Sequence, residues 1–104
     1  MSEFYDSIEK LFLKKNPILI SNVDNTNNNE YVLDLFLKKN NNNINFAFSK
    51  YLGKYGDALD LYDIYDYREF KNLDDFFFYF NERYNEYEDV LNEILKSDYV
   101  RYLK

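Results

Sequence analysis

The sequence predicts an α+β domain. It should comprise an N-terminal helix, a small antiparallel sheet of three to four strands with a central hairpin, and a long C-terminal helix or helix pair on one sheet face. Three observations carry this expectation. Two alternating apolar runs flank a four-residue Asn turn. An apolar seam stepping by four and three residues runs over residues 73–94. An amphipathic segment opens the chain. A helix layer laid on a sheet buries both apolar faces at once. The 104 residues have room for one core, so residues 1–104 form a single domain.

Residues 3–15 read as the first helix. Phe4, Ile8, Leu11 and Phe12 share one face at helical spacing. Ser2 is placed to cap the first turn, and Lys14 and Lys15 complement the helix dipole in the last. Asn16 precedes Pro17, and a residue before proline is pushed out of helical geometry. Residues 18–23 are short and β-branched and read as a strand. In the run Tyr31–Lys39, Tyr31, Leu33, Leu35 and Leu37 fall on one face, with Asp34 and Lys38 on the other. Residues 40–43 are all Asn, which tolerates turn geometry. Ile44, Phe46 and Phe48 then alternate with Asn45, Ala47 and Ser49, completing a β-hairpin.

Gly53 and Gly56 mark a break. Over residues 59–67 the Asp spacing of three suits a helix, but Leu61, Tyr62, Ile64, Tyr65 and Tyr67 favour an extended edge segment or fourth strand. Asn72 caps the final helical region, with Asp74 and Asp75 in its first turn. The seam is Leu73, Phe77, Phe80, Tyr84, Tyr87, Leu91 and Ile94, widened by Phe76, Val90 and Leu95. A bend is expected near Asn81 or Asn85 if the helix is not continuous. Ser97 and Asp98 are suited to start a last short turn carrying Tyr99, Val100 and Tyr102.

Composition restricts the chemistry. The chain has no Cys and no His, which removes a disulfide framework, a thiolate metal site, a cysteine nucleophile and the commonest general base. Two glycines cannot build a phosphate-cradling loop. Asp57, Asp60, Asp63 and Asp66 lack the loop pattern that converges oxygens on a hard cation. No carboxylate spacing singles out an acid–base pair, and Ser2, Ser7, Ser21, Ser49 and Ser97 have no His partner. The expectation is therefore a protein that is not an enzyme, with no cofactor and no metal. Lys38, Lys39, Lys50 and Lys54 gather around the hairpin, but the acidic total disfavours direct nucleic-acid binding. No apolar signal segment follows Met1, and no run is long enough to span a bilayer. The Asn, Lys, Tyr, Phe and Ile richness matches AT-rich coding, so a bacterial host cytoplasm is the expected location.

Charge is segregated. Residues 57–93 hold twelve acids against three bases, a net −9 within a chain of net −6. Aromatic residues, 21% of the chain, are interleaved with these acids. The simplest account is a solvated face. The functional account is that carboxylates imitate phosphates toward a basic groove, while aromatic rings supply desolvated contacts. The candidate partner-binding residues are Asp57, Asp60, Asp63, Asp66, Glu69, Asp74, Asp75, Glu82 and Glu86, with Tyr62, Tyr65 and Tyr67.

Residues 30–51 as a hairpin, followed by the acidic helical residues 74–93, give a small, acidic, cysteine-free chain of helix–hairpin–helix order. In these respects it resembles phage anti-CRISPR proteins that block Cas nucleases, and equally the immunity proteins that neutralise nuclease toxins. The likeness rests on size, charge and element order, so no functional residue is carried over. It implies a stoichiometric inhibitor of a basic nucleic-acid-handling protein, either a Cas nuclease or a nuclease toxin. A structural alternative is an oligomerising module, such as a homodimer, built on the seam of residues 73–94.

Overall fold

The computed structural model describes residues 3–13, 17–21, 30–96 and 100–102, the last three by their backbone. Helix α1 spans Glu3–Phe12. Strand β1 (Ile18–Ser21) leads to the hairpin β2 (Tyr31–Lys39) and β3 (Ile44–Leu52). Two short 3-10 turns, Gly53–Tyr55 and Leu59–Leu61, precede β4 (Ile64–Phe70). Helix α2 (Leu73–Tyr84), a 3-10 turn (Asn85–Tyr87) and α3 (Glu88–Lys96) follow, and β5 (Val100–Tyr102) ends the described chain.

The strands pair antiparallel in the order β4-β3-β2-β1-β5. The expected α+β architecture is present, with five strands where three to four were expected. The hairpin has the expected bounds. The Asn40 amide closes its turn by donating to the Asn43 carbonyl at 2.8 Å. Within residues 59–67 the first part is a 3-10 turn and the rest belongs to β4, which is an edge strand as expected. The short final turn carrying Val100 and Tyr102 is instead a strand, because its backbone finds open partners on β1 at Ile18, Leu19 and Ile20. Ser2, Lys14, Lys15, Val23, Ser97, Asp98 and Tyr99 lie outside the described residues.

All three helices lie on one sheet face. Leu33, Leu35 and Leu37 of β2, Ile44, Phe46 and Phe48 of β3, and Ile18 and Ile20 of β1 are buried under them. The Phe80 ring packs against Phe46 at 6.2 Å, Phe48 at 5.3 Å and Phe4 at 5.8 Å between centroids. Phe77 turns toward α1, where it meets Tyr5 at 4.7 Å. Tyr5 is buried and Leu11 only partly so; the face of α1 is rotated slightly from the expected one. Leu91 and Ile94 continue the buried seam along α3, but Val90 is exposed and does not widen it. The seam is thus the contact of the helix layer with the core.

The helical region is capped and bent by identifiable residues. The Asn72 side chain accepts from the Asp75 amide at 2.9 Å. The bend falls at the Asn85 end of α2, where Tyr84 leaves helical geometry at φ −131°, ψ 23°. The tighter turn brings both Tyr84 and Tyr87 against Phe48, at 4.9 and 5.5 Å.

Candidate protein-binding surface

The β3–β4 connection displays three of the candidate carboxylates on a braced loop. The Tyr51 ring stacks on Tyr62 at 4.3 Å and 15°. The Tyr62 hydroxyl donates to the Gly56 carbonyl at 2.6 Å, and the Tyr51 hydroxyl donates to Asp34 Oδ2 at 2.8 Å. Ser21 Oγ also donates to Asp34. The Asp63 amide donates to the Lys50 carbonyl at 2.9 Å, which anchors the far end of the loop. Burial, followed by the Asp34 hydrogen bond, raises the Tyr51 pKa; burial also raises that of Tyr62. Both rings therefore serve as neutral donors. Asp57, Asp60 and Asp63 stand exposed on this frame.

Strand parity divides the remaining candidates. Tyr65, Tyr67 and Glu69 of β4 point away from the helices and are exposed. Asn43 Nδ2 donates to Glu69 at 3.0 Å. Asp66 points the other way, and its side chain is only 14% exposed. It accepts from the Tyr79 hydroxyl at 2.5 Å and the Tyr84 hydroxyl at 2.7 Å, and pairs with Arg68 at 3.2 Å. The Arg68 and Arg83 guanidiniums lie over the Tyr79 ring at 4.7 and 5.0 Å. Burial first, then the bond to Asp66, raises the Tyr79 and Tyr84 pKa values. Asp66 thus ties the edge strand to α2 from within the fold.

The helix layer carries Asp74, Asp75, Glu82 and Glu86, all exposed. Phe78 sits among them with 71% of its surface in solvent. Asp74, Asp75 and Glu82 are its neighbours three and four residues away on the same helix. Leu59 and Leu61 flank Asp60 in the same manner and are also exposed. These three apolar residues were not among the expected site residues. Phe78 falls off the four-and-three seam, and that is the sequence signal that marks it as outward-facing.

Acids from the two segments come together at one end of the molecule. Lys50 Nζ donates to the Tyr87 hydroxyl at 3.3 Å and lies over the Tyr31 and Tyr87 rings at 4.9 and 5.3 Å. The Tyr31 hydroxyl is bonded to Asp63, which raises its pKa. Through Lys50, the turn that bears Glu86 is held beside the loop that bears Asp63. The four hairpin lysines, by contrast, do not converge. Lys50 faces these rings, Lys54 lies over Tyr55 at 5.1 Å, and Lys39 borders a 350 Å³ cleft at the opposite end, beside the Asn turn.

Among the described residues, no group of three or more acidic side chains is arranged to hold a metal ion, and no helix is long and apolar enough to cross a membrane. Comparison with known proteins finds no matching family model, curated protein or solved structure.

Proposed function

We propose that this chain is a non-catalytic acidic inhibitor. It would bind the basic nucleic-acid-binding surface of a nuclease or defence effector, with carboxylates taking the place of phosphates. The observation that carries the reading is the pairing of exposed apolar anchors with exposed acids. Leu59 and Leu61 sit with Asp57, Asp60 and Asp63, and Phe78 sits with Asp74, Asp75 and Glu82. Protein interfaces concentrate affinity in a few desolvated apolar contacts and use the surrounding charges for steering. An anti-defence role against an RNA-guided nuclease is the first form of this reading. An immunity protein against a basic nuclease toxin is the second, and a toxin gene directly upstream would favour it.

The test is binding to a panel of purified Cas nucleases and nuclease toxins, measured at low and high salt. Affinity should fall as salt rises, and nucleic acid should compete. Asp57→Asn, Asp60→Asn and Glu82→Gln combined should slow association while leaving the melt unchanged. Asp66 is kept out of the triple because it holds Tyr79 and Tyr84, and Asp63 because it holds Tyr31. Affinity unchanged by salt and by the triple variant would refute phosphate mimicry.

A further inference from the structure

The helices cover one face of the sheet. On the other, the β3–β4 connection packs through Tyr62 on Tyr51 at one end of the strands, and the rows beyond it are covered by no described element. Register sets the residues of that outer face in rows across the strands. Leu19, Phe36, Ala47 and Tyr67 form a central row, which the register extends beyond Leu19 to Arg101 of β5 at the sheet edge. Phe36 remains partly exposed, and Tyr67 is 53% exposed. On β2, the central strand, this row is bracketed by Asp34 on one side and Lys38 on the other.

We propose that this outer face is a homodimer interface, occupied by a second copy of the chain stacked sheet to sheet. Its twofold axis would run along the Leu19–Phe36–Ala47–Tyr67 row. A closed dimer requires a self-complementary patch. The outward residues of β2 read acid, aromatic, base, and such a pattern complements itself when reversed. Rotation about the row lays β2 antiparallel over its mate. Phe36 meets Phe36, and Asp34 faces Lys38 of the other copy twice, once on each side. Ala47 lies on the axis, where its small side chain lets the sheets approach. Packed sheets cross at about 30° with a spacing of about 10 Å. Residues only two positions from the axis stay within side-chain reach at that angle.

Charge selects a second copy as the occupant. The chain is −6 overall, and its helix layer would repel its own kind. The outer face pairs Asp34 with Lys38 and keeps Asp74, Asp75, Glu82 and Glu86 on the far side. The rotation also sends the two Asp57-bearing loops to opposite ends of the dimer. Asp34 accepts from Ser21 and Tyr51, which fix its position. The inference stands apart from the inhibitor reading, because it is measured on the protein alone.

Sedimentation equilibrium of the full chain should show a concentration-dependent dimer. Lys38→Glu should weaken it by about tenfold or more, since each substitution opposes like charges twice per dimer. Phe36→Glu should give monomer, whereas Phe78→Glu, on the helix layer across the sheet, should leave the dimer intact. Far-UV circular dichroism of each variant checks the fold. The chain has no native Cys, so Ala47→Cys reports the axis directly. A short bis-maleimide should join two copies at position 47 and not in the control Asp60→Cys. A wild-type monomer at every concentration overturns the proposal. So does a dimer that Lys38→Glu leaves unchanged, or linking at position 47 no better than at position 60.

Discussion

Asp66 shows how one residue's role turns on strand parity. Its neighbours in sequence, Tyr65 and Tyr67, face solvent; Asp66 faces α2 and receives two phenol hydrogen bonds and an arginine. Removing it leaves both phenols without their acceptor. Asp66→Ala should therefore destabilise the fold by roughly 1–3 kcal/mol, the cost of orphaning partly buried donors. Asp60→Ala, at the surface, should stay within about 0.5 kcal/mol. Urea denaturation of the two variants checks the contrast. The same environment sets an alkaline limit. Tyr51 and Tyr84 have pKa values raised by burial and then by their carboxylate partners. Unfolded, each phenol titrates near about 10. The native state holds these protons where the unfolded state releases them. The associated stability is fully present below about pH 10 and is lost as pH rises toward the raised native values. Thermal melts at about pH 8 and about pH 11 should show that decline, and Tyr84→Phe should make it shallower.

At the scale of elements, local chemistry was readable and long-range pairing was not. The hairpin could be placed to the residue because alternation and the Asn turn agree. Asn72 announced the start of α2, and the bend came at one of the two Asn positions expected. Strand β5 was missed because three residues carry too little period to reveal a strand. It exists through pairing with β1, about eighty positions earlier in the chain. The acidic set was legible as composition, but its division between loop, sheet face and helix required the register. The expectation that the seam faces the sheet yields a direct comparison. Phe80 is fully buried among Phe4, Phe46, Phe48 and Phe76, so Phe80→Ala should cost roughly 3–5 kcal/mol. A domain of this size has only about 5–15 kcal/mol in total, so that variant should be close to unfolded. Asn42→Ala, in the exposed turn, should be nearly silent. Equal melting temperatures would mean that the stripe does not support the core.

For the whole molecule, the aromatic content and the charge segregation have one physical consequence. Large rings let a short chain fill a core from one side of a sheet, so the acids can be displaced to the periphery without being buried. Among those that enter the fold, Asp34 and Asp66 are each held by hydroxyl donors. Those at the loop and the helix surface remain available to a partner, beside Leu59, Leu61 and Phe78. Under the inhibitor reading, such a surface acts by occupancy. Inhibition of a target nuclease should then rise linearly with added protein and saturate near one binding site per target. It should be unaffected by preincubating the inhibitor with a chelator that is removed before assay. Dilution of the inhibited complex into high salt should release active nuclease, because exposed charge pairs dissociate faster when screened. Target that stays inactive after such release, or that carries a new covalent mass, would show that the chain modifies its partner, and the occupancy mechanism would be wrong.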